Sequence, residues 1–136
     1  MKKLAFVFTL AILSCPAVGA DTQQFTEAQT AAAFAKADSD KDGTITMAEA
    51  KKFGIYGKAF TAANRDNDGA LDRREFAVAL AYQFNQANSY KDGTLDWKEA
   101  QRAGVKSKKA FVAANPDKDD TLDPIEYLNA LVLQAK

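Results

Sequence analysis

Residues 38–49 read DSDKDGTITMAE. Asp38, Asp40 and Asp42 occupy alternate positions, Gly43 follows at once, and Glu49 closes the stretch. Like charges this close repel one another, and burying any of them without a partner is costly. The same spacing has a use, because carboxylates at alternate positions of a tightly curled loop converge on one point. A hard divalent cation such as Ca²⁺ takes six to eight oxygens from such carboxylates, from amide and backbone carbonyls and from water. The chemistry on offer is therefore cation binding.

The pattern is written three more times: NRDNDGALDRRE at 64–75, NSYKDGTLDWKE at 88–99 and NPDKDDTLDPIE at 115–126. Every copy has Asp fifth, Ile or Leu eighth (Ile45, Leu71, Leu95, Leu122) and Glu last. A phenylalanine stands four residues before each one, at Phe34, Phe60, Phe84 and Phe111. A longer repeat links EAKKFGIYGKAFTAAN (49–64) to EAQRAGVKSKKAFVAAN (99–115), so the chain reads as two similar halves with two acidic loops each. Helix starts offer a plainer account of part of this. Thr46, Asp72, Asp96 and Asp123, each followed three residues later by Glu, are capping boxes that need no metal. That account covers only the ninth and twelfth positions. All of the 18 acidic residues except Asp21 and Glu27 lie inside the four loops, which a merely solvated surface would not require.

The elements that must position these loops are helices. Residues 26–37 are predicted as a helix entering the first loop, and a short helix after Glu49 should stop at Gly54. Another is expected from Gly57 to Ala63. Residues 74–87 contain neither Gly nor Pro and form one helix leaving the second loop and entering the third. The second half repeats the scheme, with a break at Gly104 and a last helix over 127–135. The fold class is all-α, built of helix–loop–helix units. The loop phenylalanines, with Phe53, Phe76, Leu80, Tyr127, Leu128 and Leu131, are the expected core. Trp97 is expected to pack at a helix start, and the lysines and arginines between paired loops to be solvated.

Together these stretches resemble the calcium loops of the EF-hand family, over nearly the whole chain after its first residues. The resemblance implies four loops in two pairs, hands one and two over about 26–83 and hands three and four over about 78–136. It also implies Ca²⁺ as the bound ion and short pairing between eighth positions, Ile45 with Leu71 and Leu95 with Leu122. Carried onto this sequence, loop one would use Asp38, Asp40, Asp42, the Thr44 carbonyl, Thr46 through water, and Glu49. Loop two would use Asn64, Asp66, Asp68, the Ala70 carbonyl, Asp72 and Glu75. Loop three offers Asn88, Asp92, the Thr94 carbonyl, Asp96 and Glu99, but Tyr90 stands where an oxygen ligand belongs, so weak or no binding is expected. Loop four offers Asn115, Asp117, Asp119, the Thr121 carbonyl, Asp123 and Glu126, with Asp120 in the place of the turn glycine. Asp tolerates that left-handed turn at a cost on the order of 1 kcal/mol, so loop four should bind less tightly.

Composition narrows the function. The formal net charge is zero, which gives no reason to expect nucleic acid as a partner. Met1-Lys2-Lys3, the apolar run 4–14 and the small residues Gly19-Ala20 read as an export leader, residues 1–20, leaving a domain over 21–136. The expected location is periplasmic or secreted in a bacterium. An alternative is lipidation at Cys15, which would anchor the chain to the envelope membrane. With no histidine and Cys15 as its one cysteine, the chain lacks the usual acid–base and nucleophilic constellations, and no enzyme is expected. Calcium buffering, sensing toward an unidentified protein target, or a calcium-stabilised module are the readings that remain. The alternative is a dockerin-like adhesion or scaffold module; the phenylalanine-bearing helix before each loop speaks against it.

Overall fold

Thr26 begins the first helix with a reciprocal cap: its hydroxyl accepts from the Gln29 N–H at 3.0 Å, and its own N–H donates to Gln29 Oε1 at 2.9 Å. Helix α1, Glu27–Ala37, then buries Thr30, Ala33, Phe34 and Ala37, which share one face at helical spacing. The computed structural model of the chain describes residues 24–135. The expected leader, its cleavage point and Cys15 lie outside the described residues. Within them follow β1 (Ile45–Thr46), α2 (Met47–Phe53), α3 (Gly57–Ala63), β2 (Ala70–Leu71), α4 (Arg73–Ala87), α5 (Trp97–Arg102), α6 (Lys108–Ala113) and α7 (Pro124–Gln134). The chain is mostly helical. Among the described residues no helix is long and apolar enough to cross a membrane.

Helix ends follow local chemistry. Gly54, at φ +121°, ends α2 as its sequence position predicts. Helix α4 does run without interruption from loop two to loop three, and at about 1.5 Å per residue its fifteen residues make a rod of about 22 Å. The last helix starts at Pro124 rather than at residue 127, because Asp123 caps it and proline in the first turn loses no hydrogen bond.

The loops meet in pairs. β1 and β2 are antiparallel with Ile45 opposite Leu71, and an isolated bridge joins Leu95 to Leu122 through N–H···O bonds of 2.9 and 2.8 Å. All four of these side chains are fully buried. Phe34 and Phe53 pack on Phe76 in the first half, at ring-centroid distances of 5.4 and 5.8 Å. Phe84 meets Tyr127 at 5.4 Å, and Phe25 lies against both. Helix α1 contacts α7 as well as α4, so one hydrophobic core runs through both halves.

The segments joining the loops of each pair lie back to back. Gln83 in α4 is buried and donates to the carbonyls of Gly54 (2.7 Å) and Ala103 (2.6 Å), while its oxygen accepts from Tyr56 N–H (2.9 Å). Gln134 in α7 makes the matching set, donating to Gly104 O (2.7 Å) and accepting from Lys106 N–H (2.8 Å). Tyr127 donates its hydroxyl to Ala103 O at 2.8 Å, and burial holds that phenol well above its ordinary pKa. Backbone approach here is very close: a Cβ on Gly104 would lie 2.2 Å from the Gly54 carbonyl oxygen and 2.8 Å from Gln83 Nε2.

Gly104 also sits at φ +98°, so Gly104→Ala meets both steric overlap and backbone strain. A loss of about 2–4 kcal/mol in unfolding free energy is expected by denaturant titration. Gly57→Ala, at the first position of α3 where nothing lies within 4 Å, should be neutral or stabilise by about 0.4–1 kcal/mol in the same assay.

Candidate metal centres

Each loop is a nest of backbone N–H groups folded around acidic side chains. In loop one, Asp38 Oδ1 accepts from Asp42 N–H (3.2 Å) and its Oδ2 from Gly43 N–H (3.0 Å). Asp40 accepts from Asp42 N–H (3.2 Å), and Asp42 from both the N–H and the hydroxyl of Thr44 (2.9 Å each). The pattern recurs in loop two at Asp66 and Asp68, in loop three at Asp92 and Thr94, and in loop four at Asp117, Asp119 and Thr121. Such curling needs left-handed residues. Gly43, Gly69 and Gly93 supply one per loop and Asp120, at φ +68°, supplies it in loop four. The fourth position is left-handed too, at Lys41, Asn67, Lys91 and Lys118; asparagine favours that region, and the three lysines are held in it by the fold.

The closing glutamates do two jobs. Glu49, Glu75, Glu99 and Glu126 each complete a capping box, with Thr46, Asp72, Asp96 and Asp123 as partners. In the first three loops the same carboxylate reaches across the loop, where Oε1 accepts from the second residue's N–H: Ser39 (2.9 Å), Arg65 (3.2 Å) and Ser89 (2.7 Å). Loop four has Pro116 at that position and so has no such donor. A carboxylate has about four lone-pair sites, so these bonds fix the group in place while leaving acceptor capacity for an ion.

The electrostatics are those of crowded anions. Ligand oxygens of Asp38, Asp40 and Asp42 lie within 4.8 Å of one another, as do those of Asp66, Asp68 and Glu75. Among the described residues the ion pair present, Arg74 to Glu27 at 3.7 Å, involves no loop carboxylate. Lost hydration raises the pKa of Asp40, aided by Asp42 and Glu49, and raises that of Glu126, aided by Asp123, Asp117 and Asp119. Hydrogen bonds from the Thr44 and Thr121 N–H and hydroxyl groups hold Asp42 and Asp119 below the usual carboxylate range.

The first positions of loops two to four carry an amide, and in loops three and four its oxygen has no donor to face. Asn88 and Asn115 are buried, and the Oδ1 of each has no hydrogen-bond partner. One end of the Asn64 amide lies 3.0, 3.2 and 3.3 Å from Asp66 Oδ1, Asp68 Oδ1 and Ala70 O, and the other 3.3 Å from Gly69 N–H. With protein atoms alone the NH₂ end must face those three oxygens; a cation among them would turn the carbonyl end inward. The donor set throughout is hard oxygen, which fits an alkaline-earth cation and no soft metal.

The residues singled out from sequence are not brought together equally. Loops one and two each gather a carboxylate trio, and among the described residues loops three and four do not. Tyr90 is 74% exposed and turned to solvent, so the third position of loop three supplies no oxygen. Arg102 instead ties down the back of that loop through Ser89 Oγ and Ala87 O.

Residues 30–53, which contain the whole of loop one, match the family described as EF hand. That segment is an EF hand. No curated protein matches the chain. Among solved structures, a homolog of programmed cell death 6 protein from Leishmania major Friedlin aligns over 82% of this chain and 76% of its own, at 16% identity and a TM-score of 0.36.

A buried oxygen without a donor costs about 1–3 kcal/mol. In chelator, Asn115→Ala should therefore leave the unfolding free energy unchanged or raise it by up to that amount, whereas Thr46→Ala, which removes a helix cap, should lower it by about 1 kcal/mol. Equilibrium urea unfolding of the two variants checks both signs.

Proposed function

We propose that the protein binds Ca²⁺ through its acidic loops, as a calcium-stabilised or calcium-buffering protein exported from a bacterial cell. The observation that carries this reading is the gathering of carboxylate oxygens within 4.8 Å in loops one and two, with no loop carboxylate ion-paired among the described residues. The four loops are read as four hands in two pairs. Asp38, Asp40, Asp42 and Glu49 would hold the ion in loop one with the Thr44 carbonyl and a water near Thr46. Asn64, Asp66, Asp68, Asp72, Glu75 and the Ala70 carbonyl would hold it in loop two. Loop four, through Asn115, Asp117, Asp119, Asp123, Glu126 and the Thr121 carbonyl, is a weaker site. Loop three, with Asn88, Asp92, Asp96, Glu99 and the Thr94 carbonyl, is the weakest because Tyr90 leaves one ligand out.

The ion cancels a repulsion that otherwise opposes folding, so binding energy becomes folding energy. At a concentration 100-fold above Kd one site adds about 2.7 kcal/mol. Outside the cell, where calcium is abundant, loops with Kd as weak as roughly 10⁻⁴ M would fill. The leader expected at residues 1–20 supports that setting. A chain with no disulfide after such a leader would use ions as its staples. Target-gripping hands open a methionine-rich groove; here Met47, the methionine beyond the expected leader, begins α2 inside loop one, which favours buffering or stabilisation.

Calorimetric titration of the chain from residue 21 with CaCl₂ should give heat, and its melting temperature should rise over that in chelator. Glutamine still completes a capping box, so single Glu→Gln changes separate ion binding from helix capping. Glu49→Gln and Glu75→Gln should each weaken their site about tenfold or more (about 1.4 kcal/mol), Glu126→Gln less, and Glu99→Gln little. No heat and an unshifted melting temperature at millimolar Ca²⁺ would refute the proposal.

A further inference from the structure

The buried glutamine junction belongs to no loop, yet it is placed to connect all of them. Helix α4 carries Glu75, which closes loop two, in its first turn. Its far end is capped by Asn88, which opens loop three and whose N–H donates to Phe84 O at 3.0 Å. One rigid rod thus holds a candidate ligand of each half. Gln83 ties that rod to the first half through Gly54 O and Tyr56 N–H, and to the second through Ala103 O. Tyr56 makes a further crossing with its hydroxyl, which donates to Gln101 O at 3.0 Å. Gly104 approaches the Gly54 carbonyl so closely that a Cβ there would overlap its oxygen. Breaking any of the buried bonds strands a polar group at a cost of about 1–3 kcal/mol. The junction therefore shifts as a unit or stays put.

We infer that Gln83 couples the two halves: filling loops one and two raises the Ca²⁺ affinity of the second half through α4 and the paired linkers. This rests on the calcium reading above. An ion that fixes Glu75 at one end of α4 also fixes Asn88 at the other, so the second half binds with part of its ordering already done. The coupling is reciprocal, as linkage requires. Gln83 acts here as a positioning residue and touches no ion.

Trp97 provides the readout. It lies inside loop three, 5.3 Å between ring centroids from Phe111 of α6, the helix entering loop four, so its fluorescence reports the second half. Four forms of the chain are titrated with CaCl₂: wild type, Glu49→Gln/Glu75→Gln, Gln83→Met, and the triple variant. Disabling the first half should move the Trp97 midpoint to higher Ca²⁺ by about fivefold or more when Gln83 is present, and by less than about twofold when it is methionine. Equal shifts in the two backgrounds overturn the role of Gln83, and no shift with Gln83 present overturns the coupling itself. If Gln83→Met does not fold, Tyr56→Phe, which removes the hydroxyl bond crossing to Gln101 O, replaces it and must shrink the shift; an undiminished shift counts against the proposal. A wild type that gives neither heat nor fluorescence change overturns calcium binding and coupling together, whereas binding without a shift overturns coupling alone.

Discussion

The structure depends on a balance between oxygens crowded at the centre of each loop and the backbone N–H groups curled around them. Neither side of that balance is stable by itself. A carboxylate cluster without donors would fly apart, and a run of inward N–H groups without acceptors would be unsatisfied. Left-handed residues at the fourth and sixth positions bend each loop tightly enough to bring the two together. The helices then grow from the rim of the loop, each started by a capping box whose glutamate is also part of the acidic cluster. Local folding and candidate ion site are thus a single object.

From this follows the arrangement of the core. Once four helix starts are fixed at the loop rims, the phenylalanine four residues before each loop is carried to the inner face of the entering helix, and all four are buried. The eighth-position Ile and Leu side chains meet across each pair and seal the loops from below. Helix α1 leans on α7, which makes the first and last elements of the described chain neighbours and prevents the halves from acting as beads on a string.

Much of this was legible in the sequence, because repeated spacing is a strong signal. The loops, the stop at Gly54, the unbroken α4 and the core phenylalanines could all be read from residue types at fixed offsets. The left-handed lysines could not, since lysine has no preference for that conformation and only the fold imposes it. Nor was the glutamine junction expected. Its signal was present: Gln83 and Gln134 each stand eight residues beyond a closing glutamate, Glu75 and Glu126. A lone polar residue within an alanine-rich or leucine-rich helix gives no hint, however, that it faces inward to satisfy backbone carbonyls. The contact of α1 with α7 is likewise a matter of tertiary packing, which local pattern does not encode.

The double employment of the closing glutamates makes the positions of a loop unequal in what their substitution would disturb. In loop three Tyr90 occupies the third position, and it disturbs no helix because that side chain projects into solvent. Glu99 persists in the same loop, buried and still bonded to Ser89 and Asp96, since deleting it would unravel the beginning of α5 whether or not any ion ever visits. A substitution at the solvent-facing rim of such a loop therefore leaves the helix start intact, whereas one at its closing glutamate does not.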